Sequence, residues 1–217
     1  MTHPLHEAFA FNAKGVELVT SRNFKEGIRA FHQALTIANN GSADESCFLD
    51  NSTSAPWIYE TVQARDVSFG DREGFAIFDL FFIAYPPAFT QIVSKEEYDV
   101  LTATLVYNFA LALHLAPLGE NRNRRRQACH LYKLTAEHLR CAEAVMHHAQ
   151  HLSLIVANNL AALALETYEL EDFARYREAT TGLLLTVASD ETNFYTGFFA
   201  INVTASACVK SRPAPAA

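Results

Sequence analysis

Apolar and polar positions follow a helical period near the start of the chain, a strand-like pattern after it, and a helical period again from residue 95 onward. Residues 5–39 are broken at "SRNFKEG" (21–27), so 5–20 and 24–38 are expected as an antiparallel helix pair. Val16, Leu18 and Val19 mark the apolar side of the first helix; Ile28, Phe31, Ala34 and Leu35 mark the second. The Asn-, Ser- and Asp-rich run 39–56 reads as a loop. "WIYETVQARDV" (57–67) and "FAIFDLFFIAY" (75–85) are rich in β-branched and aromatic residues and flank a turn at 68–74, which predicts a β-hairpin. Ser94 with Glu97 three residues later is a capping-box pattern, placing a helix start at about residue 95 and its end before Pro117. Further helices are expected at about 124–139, 151–168 and 171–188. Residues 198–204 lean toward strand and read as a third strand or a short helix, before a Pro- and Ala-rich end.

The first pair, "NAKGVELVTSRNFKEGIRAFHQALTI", carries a small–large–small series at Gly15, Leu18, Gly27, Phe31 and Ala34, with Phe24 after the turn. This resembles the tetratricopeptide repeat (TPR), although the usual Trp is absent and Asn39 stands where the closing Pro belongs. Ala110 and Leu113, then Ala128, Tyr132 and Thr135, match a second unit with a loop insertion between its helices. Ala161 matches the small position of a third, looser unit. The series "NFALALHL", "HLYKLTAEHL" and "NNLAALAL", with the hairpin before it, is similar to a divergent algal group of TPR-like proteins. The resemblance implies a mainly α, short superhelix of about three antiparallel helical pairs with a small β-hairpin insert, because each pair buries its apolar face only against a neighbour. The expected layout is one domain over 1–217: a pair at 5–39, the loop and hairpin at 40–90, pairs at 94–140 and 151–188, and a C-terminal extension at 189–217.

The same resemblance implies a protein–protein interaction module, an adaptor or scaffold without enzymatic activity, holding a peptide or partner subunit on the concave wall formed by the first helix of each pair (the A helix). Asn108 and Asn159 each stand two residues before the small residue of their A helix, and Asn12 is one residue off the equivalent place. A buried amide requires hydrogen-bond partners. Each of these either bonds a ligand backbone or bonds a neighbouring helix. The A helices carry no Lys or Arg at the places a carboxylate clamp needs: Val106, Phe109 and Leu113 in one, Val156 and Ala162 in another.

Composition narrows the partners. A net charge of −7 disfavours nucleic acid and anionic membrane surfaces, which require a positive field. No apolar run reaches the roughly 20 residues that span a bilayer. The four cysteines show no C-x-x-C spacing and the N-terminus lacks a secretory pattern, so an intracellular, cytoplasmic or nuclear, protein with reduced thiols is expected. Arg122, Arg124, Arg125 and Arg126 in "NRNRRR" read as a solvated loop or as a contact for an acidic partner. The alternative function is a small-ligand or metal-binding regulator built on His138, Cys141, His147, His148 and His151, which requires an unbroken helix through 138–151 for three of them to share a face. No motif for a cofactor, a P-loop or a nucleophile elbow occurs. The aromatics of the hairpin are read as core, with a homo-oligomer contact through the hairpin as the other option.

Overall fold

Where the sequence pattern has helical period, helices form, and two of the described turns share a design. The computed structural model describes residues 4–41, 58–64, 76–85, 95–117, 123–140, 147–187 and 198–204. It contains α1 (Pro4–Thr20), α2 (Phe24–Gly41), β1 (Ile58–Gln63), β2 (Leu80–Tyr85), α3 (Lys95–Leu115), α4 (Asn123–Leu139), α5 (His147–Glu166) and α6 (Leu170–Val187). A short helix, α7, covers 198–204. The fold is mainly α, built of adjacent helical pairs with one small sheet, as expected. Ser94 of the capping-box pattern lies outside the described residues.

α1 and α5 end in the same way. Arg22 and Tyr168 take positive φ, 64° and 61°. Arg22 N–H donates to Val19 C=O (2.9 Å) and Asn23 N–H to Leu18 C=O (2.7 Å); Tyr168 N–H donates to Leu165 C=O (3.2 Å) and Glu169 N–H to Ala164 C=O (2.8 Å). This paired closure is a Schellman motif, which satisfies the last helical carbonyls and reverses the chain within three residues. The α1–α2 and α5–α6 pairs therefore share the geometry of their turns.

The chain divides into two compact units: residues 1–65 with 79–149, and residues 66–78 with 150–217. In the first unit α1 pairs with α2, α3 pairs with α4, α2 packs on α3, and β2 packs on α1 and α3. The α1–α2 crossing is close because both helices offer glycine. A Cβ on Gly15 would lie 2.8 Å from the Phe31 ring, and one on Gly27 would lie 2.5 Å from Val19 Cγ2. α3 has no polar side: nearly all its residues from Val100 to His114 are buried, as for a helix covered all round. β1 and β2 form a two-stranded antiparallel sheet in which Gln63 faces Leu80 and Ile58 faces Tyr85. The pairing carries on as far as Ala64 N–H, which donates to Asp79 C=O at 2.9 Å. Residues 77–84 are all buried, which accounts for their nearly unbroken apolar sequence.

The second unit pairs α5 with α6 through Ala161, Ala164 and Phe173, flanked by Leu165 and Tyr176. Of the two alternatives for 198–204, a third strand or a short helix, its α7 is the helix. Phe198, Phe199 and Asn202 are buried while Ala200, Ile201 and Thr204 are exposed, a helical spacing of burial that overrides the strand propensity of "FFAINVT". No helix among the described residues is long and apolar enough to cross a membrane.

Candidate functional site

A β-strand presents its N–H and C=O groups alternately to either edge, so Leu80 and Phe82 of β2 turn theirs the same way. In the first unit β1 takes the other edge. Two side chains of α3 and one of α1 take this one. Phe82 N–H donates to Asn108 Oδ1 (3.0 Å) while Asn108 Nδ2 donates back to Phe82 C=O (2.5 Å). One amide thereby satisfies both backbone groups of one residue. Asn12 Nδ2 adds a second donor to Phe82 C=O (3.0 Å), and its Oδ1 accepts from Asn108 Nδ2 (2.9 Å). Tyr107 Oη donates to Leu80 C=O at 3.0 Å. The Phe82 ring lies edge-on to Tyr107 and to His148, with centroids 5.6 Å away in each case.

The second unit repeats the arrangement on residues 76–78. Phe78 N–H donates to Asn159 Oδ1 (2.7 Å) and Asn159 Nδ2 donates to Phe78 C=O (2.9 Å). Ala76 N–H donates to Asn202 Oδ1 (3.0 Å) and Asn202 Nδ2 donates to Ala76 C=O (2.7 Å). Asn158 joins the two: its Nδ2 donates to Ala76 C=O (3.1 Å) and Asn159 Oδ1 (3.2 Å), and its Oδ1 accepts from Asn202 Nδ2 (2.7 Å). Asn12, Asn108, Asn158 and Asn159 have no solvent exposure at all.

Asn108 and Asn159 are thus equivalent, as their spacing indicates. The backbone they bond is the chain's own, where the sequence pattern offers an outside ligand or a neighbouring helix; the second option is corrected to strand β2 for Asn108 and to the residues just before it for Asn159. Asn12 stands three residues before Gly15, as Asn158 stands three before Ala161 and Tyr107 three before Ala110. All three reach a backbone carbonyl of the segment, so the one-residue offset of Asn12 is a second position of the same pattern. Asn158, Asn202 and Tyr107 are additional members that sequence reasoning missed. The doublet Asn158–Asn159 carried a signal for the first. For Asn202, the strand-like composition around it hid the helix.

The remaining candidates lie elsewhere. Arg124, Arg125 and Arg126 are in the first turn of α4, and Arg122 lies outside the described residues. α4 ends at Leu139 and α5 begins at His147, so the unbroken helix required for a shared His138–Cys141–His148 face is not formed. Among the described residues no group of three His, Cys, Asp or Glu is placed to hold a metal ion. Cys141 and the His147 side chain lie outside what is described. On the hairpin, the other candidate surface, side chains occupy the Leu80 C=O and both backbone groups of Phe82 along the β2 edge. One charged group on α3 is displaced from its ordinary titration: burial pushes the Asp99 carboxyl up, opposed by His138 and Lys95 and assisted by Glu96.

No family model matches the chain, and no significant match was found among curated proteins or solved structures.

Proposed function

We propose that the protein is a protein–protein interaction module of the TPR-like kind, an adaptor or scaffold whose A helices recognise an extended peptide, with residues 76–85 standing in as the resident occupant. It has no catalytic role in this reading. The observation that supports it is the two-point pairing of Asn108 with Phe82 and of Asn159 with Phe78. An amide that bonds the N–H and C=O of one residue reads backbone and ignores side chain, which is the chemistry of extended-peptide recognition. An outside peptide must displace Phe78, Phe81 and Phe82, all buried. Each is worth roughly 1.5–3 kcal/mol of burial, so exchange requires a weakened segment or a competitor with equivalent groups.

The test is direct. A labelled peptide with the sequence of residues 75–85, made soluble by terminal lysines, is titrated against the full-length chain carrying Phe82→Ala. That change removes the ring contacts with Tyr107 and His148 and keeps the backbone groups. The peptide is expected to bind this variant and raise its melting temperature, with much weaker binding to the unaltered chain. A variant that retains its helical circular dichroism and shows neither effect would sink the reading. Ala76→Pro, which deletes the N–H bonded by Asn202, serves as a second, milder weakening.

A further inference from the structure

The amides do not distinguish one sequence from another, so any sequence preference must come from where the occupant's side chains go. In the second unit that place is well defined. The Phe78 ring is nearly parallel to Phe199, with centroids 5.2 Å apart at 23°, and edge-on to Phe198, 5.4 Å apart at 67°. Phe198 and Phe199 stand 5.2 Å apart at 85° to each other. Two rings at a right angle make a corner that offers one face and one edge, the two geometries in which an aromatic ring packs most favourably. All three side chains are almost wholly buried. Asn202, three residues beyond Phe199 on the same short helix, bonds the N–H and C=O of Ala76, two residues before the ring.

We infer that Phe198 and Phe199 are specificity-determining residues that select an aromatic side chain two residues after the backbone position clasped by Asn202. The partner class is an extended segment of pattern X-X-aromatic in which the first residue is not proline, since its N–H is bonded. This rests on the reading that the amides recognise an extended peptide. A branched aliphatic residue fills comparable volume but has no flat face or polarised ring edge to offer the corner. Selection is therefore by ring geometry and not by apolarity alone.

The inference is tested on the full-length chain carrying Phe78→Leu, which vacates the ring position of the corner without removing the backbone clasp. Lysine-tagged 75–85 peptides with Phe, Tyr, Leu or Ala at position 78 are compared by fluorescence anisotropy. The Phe peptide is expected to bind at least about tenfold more tightly than the Leu peptide and about a hundredfold more tightly than the Ala peptide, in keeping with the usual worth of ring packing added to area burial. Adding Phe199→Leu to the receptor is expected to abolish the Phe-over-Leu margin. Equal binding of Phe and Leu peptides, or a margin that survives Phe199→Leu, overturns the inference while leaving peptide recognition intact. If no peptide binds a receptor whose circular dichroism stays helical, peptide recognition itself fails and the inference fails with it. Should Phe78→Leu not fold, Phe78→Met is the receptor in its place.

Discussion

The two units hold neighbouring stretches of one segment by the same chemistry but with different redundancy. In the first, Phe82 is clasped by Asn108 with Asn12 behind it, Leu80 receives one bond from Tyr107, and the opposite edge is paired with β1. In the second, three asparagines are spent on Ala76 and Phe78, and the β1–β2 pairing stops short of both residues. Buried N–H and C=O groups must be satisfied wherever they lie. In the first unit the side chains bond Leu80 and Phe82 on the edge that β1 leaves open; in the second the amides on Ala76 and Phe78 also bond one another more extensively. The difference teaches that the asparagines substitute for an absent sheet edge.

The sharpest way to break the comparison is to remove one principal amide from each side. Asn159→Ala removes the amide's bonds to both backbone groups of Phe78 and one of the two acceptors of Asn158 Nδ2, which keeps Ala76 C=O. Asn108→Ala leaves Asn12 still bonding Phe82 C=O, though Phe82 N–H loses its acceptor. At roughly 1–3 kcal/mol per buried group left unpaired, Asn159→Ala is expected to cost about 3–5 kcal/mol and Asn108→Ala about 2–4, read by urea unfolding. Equal losses, or losses under about 1 kcal/mol, would contradict the redundancy argument.

The helix pairs differ as well, and a smaller effect tests that. Gly15→Ala in the first unit pushes a methyl group into the Phe31 ring and is expected to cost about 1–3 kcal/mol. Gly182→Ala on α6 meets nothing within 4 Å, and is expected to stabilise by about 0.5–1 kcal/mol through helix propensity. Thermal unfolding of the two variants checks both signs.

The smallest effect is electrostatic and confined to the first unit. A carboxyl whose folded pKa lies above its unfolded value binds its proton more tightly when folded, so ionisation works against the fold above that range. Asp99 is such a group. Asp99→Asn is expected to be neutral to slightly stabilising at pH 7, and any gain is expected to vanish as pH falls through the carboxylate range. A gain that grows on acidification would reverse the assigned cause.

Much of this was legible in the residues, for identifiable reasons. Gly15, Gly27 and Phe31 are constrained by a close helix crossing, so their spacing announced the first pair. The equivalence of Asn108 and Asn159 followed from their distance to Ala110 and Ala161. What they bond was not legible, because nothing local says that 76–85 lies along those helices; that is a long-range placement. The hairpin pattern predicts β, but β2 is shorter than its apolar run, since Ala76 and Phe78 lie before the ladder and are held by side chains. For 198–204, local strand propensity and tertiary burial disagreed, and burial prevailed.

The most direct test of the central claim is residue-resolved hydrogen exchange by NMR on the unaltered chain and on Asn159→Ala. If side-chain amides hold the segment, the Phe78 and Phe82 N–H groups are strongly protected in the unaltered chain. Asn159→Ala is then expected to speed exchange at Phe78 by at least about tenfold, the equivalent of about 1.4 kcal/mol, with Phe82 changed far less. Exchange at Phe78 that is unchanged by the substitution would contradict the account.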